Sequence, residues 1–354
     1  MKKRRILFLG ETYRADAITW MKGLEEFGDF EIVSWELKNS NNGINRFSRL
    51  LELAKAFLTI KSIAKKFNPD MVIAERTTSY GFLAVLSGVK PTAIAQQGIT
   101  DLWPENAPSY RFKKIIQHYA FKKADLIHAW GNAMAIQMEK NGADMSKVMV
   151  LPKGINLSLF QYNEDKNDEA IHAIVTRSLY PEYKHDVILK AFAKIKVEKI
   201  PFSLTLVGDG PELNSLRKLA SELNIEKEVF FLGKIDNNEI SNYLQKANFY
   251  ISMPVTEGVS ASLFEAMACG CFPIVSDLIG NRHWIQQKVN GILVESENES
   301  KLAEEIQWAF HNLHFTKKAI KENRKFVEEN ANYEKNMKII AQTYHDLISK
   351  STST

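Results

Sequence analysis

The chain has 354 residues, 45% of them hydrophobic and 25% charged, which excludes a disordered composition and exceeds the length at which single hydrophobic cores usually stop growing. Two domains are therefore expected. The formal net charge is only +4, and the two cysteines, Cys269 and Cys271, are too close in sequence to brace separate parts of a fold, which excludes a disulfide scaffold and indicates a reducing, cytoplasmic setting.

The N-terminus combines a basic run with a short apolar stretch over residues 6–9. That stretch is too short for a signal peptide. The longest apolar segment without charges, 77–89, is well below the roughly 18 residues needed to span a bilayer. We expect a cytoplasmic protein that is soluble or peripheral on the inner face of the membrane.

Short apolar runs rich in branched residues alternate with longer amphipathic segments, a pattern typical of parallel strands joined by crossover helices. In the first half the pattern predicts strands over 6–9, 31–35, 71–74, 92–95, 126–130 and 148–151. It predicts helices over 19–27, 46–67, 110–121 and 133–140.

The polar segment 161–169 has no apolar periodicity and is predicted to be a linker. Beyond it, strands are predicted over 171–176, 203–207, 229–232, 249–252, 272–276 and 292–294. The fold class predicted is α/β with two doubly wound, Rossmann-like domains, over 1–160 and 161–332, and a C-terminal helix near 333–350 that packs back on the first. Ligands of such sheets bind beyond the carboxyl ends of the strands.

The segment 253–277, MPVTEGVSASLFEAMACGCFPIVSD, is the most informative. A helix that begins near Ser260 presents unpaired amides to the loop holding Glu257 and Gly258, and such an end attracts phosphate. Glu265 lies about one and a half turns into this helix. A simpler alternative is that Glu265 is a solvated helix residue and Gly258 a turn.

This segment resembles the donor-site signature of the retaining glycosyltransferases of family 4, which have the two-domain GT-B fold. Further motifs of this family occur in the same order: LPKGINLSLF, VGDGPEL, FLGKI and NGILVE. The resemblance is strong across the C-terminal half and weak before about residue 120. It implies transfer of a hexosyl or N-acetylhexosaminyl group from a nucleotide-diphosphate sugar to an acceptor hydroxyl, in polysaccharide, lipopolysaccharide or glycolipid synthesis.

The resemblance also implies roles for single residues of the donor site. Glu265 would hold the ribose, Glu257 would contact the transferred sugar, and the backbone at Ile235 would contact the base. The diphosphate would be held by the backbone of Gly258, Val259, Ser260 and Ala261. A uridine diphosphate sugar is the preferred donor on family prevalence.

Arg177 and Lys184 resemble the basic pair of the family. Two cations neutralise a diphosphate and stabilise the leaving group, so no metal and no cofactor are expected, and the sequence contains no Asp-x-Asp pair. The family's glycines beside these two residues are replaced by Thr176 and His185. Without the flanking motifs, Arg177 and Lys184 would be read as surface cations.

The N-terminal half is expected to bind the acceptor. Gly10, at the end of the first strand, would let a backbone amide approach the donor phosphates. Gln97 follows a strand where the family often has a histidine, and it cannot act as a base. His128 is the nearest alternative on the acceptor side, although a lone strand histidine also fits a structural role.

Two segments are basic and amphipathic. Segment 46–66 has six basic residues and one acidic residue, and segment 110–123 has five basic residues and no acidic residue. Such segments suit an anionic membrane surface and a lipid-linked or glycan acceptor. Alternatively, their apolar stripes pack on their own sheet and the cations face water. Nucleic-acid binding is not expected, because no recognised module accompanies the charge.

Two other kinds of function remain open at this point. One is another GT-B enzyme, such as a sugar-nucleotide epimerase, which needs no acceptor, or a phosphorylase, which needs phosphate. The other is a non-catalytic nucleotide-sugar binding protein. Retention of the anomeric configuration, by front-face attack of the acceptor hydroxyl with the departing phosphate taking its proton, is implied by the family.

Overall fold

The computed structural model describes residues 3–37, 46–96, 98–100, 102, 105–163 and 165–353, with only the backbone described for 46–51, 53 and 54. The chain forms two compact units, one of Met1–Lys153 with Tyr333–Thr354 and one of Gly154–Asn332. The division falls at Gly154, a few residues before the predicted boundary at 160.

The first unit contains, in its described part, a six-stranded parallel sheet with the order β2-β1-β3-β4-β5-β6. Its strands are β1 Arg5–Leu9, β2 Glu31–Trp35, β3 Met71–Glu75, β4 Thr92–Ala95, β5 Leu126–Ala129 and β6 Val148–Val150. β1, β3, β4 and β5 are almost entirely buried, as expected for parallel strands covered on both faces.

The helices of this unit are α1 Ala15–Gly28, α2 Arg46–Phe67, α3 Phe82–Ser87, α4 Tyr110–Lys123 and α5 Asn132–Lys140. A π-helical turn, Thr77–Gly81, precedes α3, and neither was predicted, because the apolar segment 77–89 has no polar face that would reveal a helical period.

The C-terminal helix α13, Tyr333–Thr352, packs on α1 of the first unit. A Cβ atom at Gly23 of α1 would lie 2.7 Å from the Met337 side chain, so the glycine allows the two helices to approach closely. The Tyr333 hydroxyl donates to the Thr19 carbonyl at 2.7 Å.

The second unit contains a parallel sheet with the order β12-β11-β10-β7-β8-β9. Its strands are β7 Ile171–Thr176, β8 Phe202–Val207, β9 Val229–Gly233, β10 Phe249–Ser252, β11 Phe272–Ser276 and β12 Ile292–Val294. In both units each strand lies within one residue of its predicted ends, and the predicted fold class is confirmed.

The helices of the second unit are α6 His185–Val197, α7 Leu213–Glu222, α8 Asn237–Leu244, α9 Ala261–Ala268, α10 Ile279–Arg282, α11 Glu299–His311 and α12 Leu313–Asn330. They cover two hydrophobic clusters. Phe249 and Phe272 belong to one cluster, and Tyr250 and Phe264 belong to the other. Within the described ranges, none of the helices has the combination of length and apolar composition that a membrane-spanning segment needs.

Candidate active site

The candidate site lies at the carboxyl ends of β7 and β10 in the second unit. The strand order reverses between these two neighbouring strands, and doubly wound sheets bind ligands in the crevice at this switch point. Arg177 follows β7 directly, and Ser252 is the last residue of β10. The chain after β10 continues through Glu257 to the start of α9.

The Arg177 side chain joins three parts of this crevice. Its Nη2 donates to the Glu257 carboxylate and, over 2.7 Å, to the Ser260 hydroxyl. Its Nε donates to the Ser252 hydroxyl at 3.3 Å, and the guanidinium carbon lies 5.3 Å from the ring centroid of Tyr183. The guanidinium is therefore held at the strand ends.

Burial opposes the charge of Arg177, but the Glu257 carboxylate outweighs it, so the pKa of Arg177 lies above its usual value. The second oxygen of Glu257, Oε1, accepts from the Gly258 amide at 3.2 Å. The pair is mostly buried, with 15% of the Arg177 side chain and 12% of the Glu257 side chain exposed. Because the pair is mostly buried, removing either side chain would leave the other charge buried without a partner, which destabilises the protein.

Ser260 is the N-cap of α9, and its hydroxyl oxygen accepts from the Leu263 amide at 3.2 Å. The amides that precede Leu263 in a first helical turn have no acceptor within the helix. Their donors and the positive end of the helix dipole favour an anion. The cation of Arg177 thus lies beside a helix start that also attracts negative charge.

Three glycines keep this arrangement close-packed. A Cβ atom at Gly208, where φ is +147°, would lie 2.1 Å from the Arg177 carbonyl oxygen, and one at Gly210 would lie 2.4 Å from the Leu179 carbonyl oxygen. A Cβ atom at Gly280 of α10 would lie 2.2 Å from the Glu257 carbonyl oxygen. The VGDGPEL motif hinted at the first two positions, whereas the role of Gly280 was missed.

Lys184 takes a different partner from Arg177. It adopts a left-handed conformation, with φ of 51°, at the N-cap of α6, and its Nζ pairs with Glu297 at 2.5 Å. The hydrogen bond to Glu297 raises the pKa of Lys184. His185 beside it is fully buried, and burial followed by repulsion from Arg177 lowers its pKa to about 4.

Glu265 lies on α9 and is half-buried. Burial raises the pKa of its carboxyl to about 7, against an opposing attraction from Arg177. Ile235 and Val259 both pack against the hydrophobic cluster around α9, while Ala261 is exposed.

In the first unit, the Gly10 amide donates to the Trp35 carbonyl at 3.2 Å. A Cβ atom at Gly10 would lie 2.6 Å from the Phe8 ring, so local packing requires glycine here. Gln97 lies outside the described residues.

His128 is fully buried and stacks on Trp130 with ring centroids 5.1 Å apart. The Tyr344 hydroxyl of α13 lies 2.6 Å from its Nε2. Burial, and then the charge of Lys153, lowers its pKa to about 3. This placement favours the structural role that was left open for His128.

The helix α4 presents an apolar row to solvent in the described structure. Phe112 and Ile115 are 60% and 69% exposed, and Tyr119 is also exposed. The flanking cations Arg111 and Lys114 are exposed as well. On α2, Leu58 is exposed and Lys61 lies 4.6 Å from the Phe57 ring centroid.

The site thus offers a fixed guanidinium, a helix start and two carboxylates, an arrangement suited to an anion carrying a polyhydroxylated group. The described residues contain no cluster of three or more histidine, cysteine, aspartate or glutamate side chains that could hold a metal ion.

Two family models match the chain. The model described as "Glycosyl transferases group 1" matches residues 160–326, and the model described as "Glycosyl transferase 4-like" matches residues 18–130. The first covers the whole candidate site, and the second covers most of the first unit's sheet.

Among curated proteins, an uncharacterised glycosyltransferase of Methanocaldococcus jannaschii is 25% identical over 69% of this chain and 64% of its own. The N-acetylgalactosamine-N,N'-diacetylbacillosaminyl-diphospho-undecaprenol 4-alpha-N-acetylgalactosaminyltransferase of Campylobacter jejuni is 26% identical over 75% of this chain and 73% of its own. The alignment therefore spans just under two thirds of the first relative.

Among solved structures, HepE of Anabaena in complex with UDP superposes with a TM-score of 0.78 at 16% identity, over 97% of this chain and all of that one. At this identity the likeness concerns the fold. The superposition covers both parallel sheets described above.

Proposed function

We propose that this chain transfers a sugar from a nucleotide-diphosphate sugar to an acceptor hydroxyl with retention of the anomeric configuration. The chain belongs to the glycosyltransferases of the GT-B, family 4 type. The observation that carries the proposal is the contact of Arg177 with the N-cap Ser260 at the switch point of the second unit. The preferred donor is a uridine diphosphate sugar, and UDP is the ligand in the HepE structure.

The diphosphate binds between Arg177 and the first turn of α9. The guanidinium offers several donors in a fixed plane, and the amides near Gly258 to Ala261 add neutral donors. Lys184 supplies a second cation when its amine exchanges the exposed Glu297 carboxylate for a phosphate oxygen. Both cations stabilise the negative charge that grows on the leaving diphosphate, and no metal takes part in the proposed reaction.

Glu257 and Glu265 bind the two sugar rings of the donor. Glu257, oriented by Arg177 and the Gly258 amide, accepts hydrogen bonds from hydroxyl groups of the transferred sugar. Glu265 accepts hydrogen bonds from the ribose hydroxyls, and the backbone at Ile235 contacts the base. Charged acceptors make stronger hydrogen bonds than neutral ones, which orients the donor.

In the reaction, the bond between the anomeric carbon and the diphosphate oxygen breaks. The acceptor oxygen forms its bond to the same face of that carbon, and its proton passes to the departing phosphate oxygen. This front-face attack forms no covalent glycosyl-enzyme intermediate and needs no carboxylate nucleophile. Glu257 therefore acts by binding the sugar and by its negative charge.

The acceptor is a lipid-linked saccharide, and the exposed row of α4 binds an anionic membrane surface. The Campylobacter relative's name describes an acceptor on diphospho-undecaprenol. Cations that flank exposed aromatic and aliphatic side chains suit anionic head groups and the interface below them.

The proposal is tested by calorimetric titration with UDP and by transfer assays. The assays combine UDP-hexoses and UDP-N-acetylhexosamines with undecaprenyl-diphosphate-linked saccharides, and NMR identifies the anomer formed. Arg177→Lys keeps the charge but loses the planar donor set, so UDP should bind about tenfold more weakly. Arg282→Lys is the matched control, because Arg282 pairs with Asp277 on the surface.

Equal UDP affinity in the two variants would contradict the assigned site. Conversion of the donor without an acceptor would indicate an epimerase, and a requirement for inorganic phosphate would indicate a phosphorylase. Binding of UDP without any turnover would favour a non-catalytic protein.

A further inference from the structure

The first unit has its own topological switch point, between β1 and β3. Gly10 follows β1, and Glu75 is the last residue of β3. A Cβ atom at Gly10 would lie 2.9 Å from Oε2 of Glu75, so the glutamate occupies the space beside the end of β1. Crevices at such points are where doubly wound sheets bind ligands.

The carboxylate of Glu75 is only partly satisfied. The residue is 1% exposed, and its Oε1 has no hydrogen-bond partner among the described residues. The Glu11 amide donates to the same carboxylate. A buried acceptor without a donor costs free energy, so its presence in a folded protein calls for an explanation, and a role in binding or catalysis is one of these.

The charged groups around Glu75 come from several elements. Burial, and next the Asp16 carboxylate of α1, raises the pKa of Glu75 to about 7, whereas Lys153 after β6, the Glu11 amide and Arg14 oppose this rise. The Lys153 amine donates to the Asp16 carbonyl at 3.0 Å. Glu75 therefore changes charge close to neutral pH.

The backbone after Glu75 is unusual. Arg76 has φ of 59° and ψ of 110°, a conformation that is uncommon for a residue other than glycine. Its guanidinium pairs with Glu11 at 2.7 Å, and the π-helical turn Thr77–Gly81 follows. Strained residues and π turns are both frequent at functional sites.

We propose that Glu75 binds the acceptor in the first unit, with its unpaired Oε1 accepting a hydrogen bond from an acceptor hydroxyl. This inference rests on the proposed glycosyl transfer and adds a residue to it. The ligand is a polyhydroxylated group such as the terminal sugar of the acceptor. Binding requires the ionised carboxylate, because a charged acceptor binds hydroxyl donors more strongly than a neutral one.

The test measures initial rates at a saturating concentration of the UDP-sugar, so that the titration of Glu265 does not contribute. The concentration of the undecaprenyl-diphosphate-linked saccharide that the wild-type protein uses is varied between pH 6 and 8. Glu75→Gln should raise the acceptor KM about tenfold, leave the UDP dissociation constant unchanged, and flatten the rise of kcat/KM with pH. Glu31→Gln, at the exposed start of β2, is the matched control and should behave as the wild type.

An unchanged KM and pH profile in a folded Glu75→Gln variant would overturn the inference while leaving the proposed function intact. Absence of transfer by the wild type would overturn both. Should the variant fail to fold, the wild-type profile decides, since an acceptor KM that is flat from pH 6 to 8 overturns the role of Glu75 and a KM that falls with rising pH supports it.

Discussion

The hydroxyl oxygen of Ser260 lies 2.7 Å from Nη2 of Arg177 and accepts from the Leu263 amide at 3.2 Å. One atom therefore connects the cation after β7 to the first turn of α9. Together with Glu257 and Ser252, this serine fixes the guanidinium at the start of the helix. In the proposed reaction, diphosphate binding and the stability of the helix therefore depend on the same residue.

Ser260→Ala should weaken UDP binding about five- to tenfold, because the cation loses its contact with the helix start. The lost cap should also lower the free energy of unfolding by about 1 kcal/mol. Asn298→Ala removes the cap of α11, where Asn298 accepts from the Lys301 amide at 2.9 Å. That control should lose a similar amount of stability and bind UDP as the wild type does in calorimetric titration. Equal UDP affinities of the Ser260→Ala and Asn298→Ala variants would contradict a role of Ser260 in UDP binding.

Glu265→Gln should bind UDP about tenfold more weakly at pH 8, because a neutral amide replaces a charged acceptor of the ribose hydroxyls. The folded-state pKa of about 7 lies above the ordinary value near 4.5. The wild-type affinity should therefore fall between pH 8 and 6, and more steeply than that of the variant.

The same shift has a consequence for stability. A carboxyl with a raised folded-state pKa contributes stability below its unfolded pKa, and this is lost as pH rises through 7. Glu265→Gln should thus gain stability relative to the wild type at pH 8 while it loses UDP affinity.

Glu304→Gln, on the exposed face of α11, is the control for the UDP-binding measurement. An equal pH dependence of UDP binding in the wild type and both variants would contradict the ribose contact.

His128→Gln should reduce the acid sensitivity of the first unit. The pKa of the buried His128 lies near 3, whereas an unfolded histidine takes up its proton near 6.5. Stability present above pH 6.5 is therefore lost as pH falls towards 3, by about 3 kcal/mol between pH 6.5 and 4. Denaturant titrations at these two pH values measure the difference.

The glutamine can still accept from Tyr344 but cannot be charged, so its unfolding free energy should change less with pH. The exposed His118→Gln is the matched control and should keep the wild-type dependence. A variant at position 128 with that same dependence would show that another group causes the acid sensitivity.

Replacing Phe112 and Ile115 together by serine should weaken binding to vesicles that contain phosphatidylglycerol about tenfold, because two exposed apolar side chains no longer enter the interface. Binding of the wild type should also weaken with added salt. Val197→Ser is the control, since Val197 is 77% exposed in the second unit. Vesicle binding by the double variant at the wild-type level would exclude this face as the membrane surface.

The sequence alone determined the strands and the order of the elements in the second unit. Parallel strands are buried on both faces, so β7, β10 and β11 read as continuous apolar runs whatever their neighbours are. The start of α9 was also readable, because a serine cap followed by good helix formers is a local signal. These features depend on residues a few positions apart.

The tertiary structure alone decided which side chains meet. The pairing of Lys184 with Glu297, the contact of His128 with a tyrosine 216 residues away, and the burial of Glu75 beside Gly10 all join distant parts of the chain. No local periodicity encodes such contacts, because they arise only when the strands take their places in each sheet and the last helix returns to the first unit.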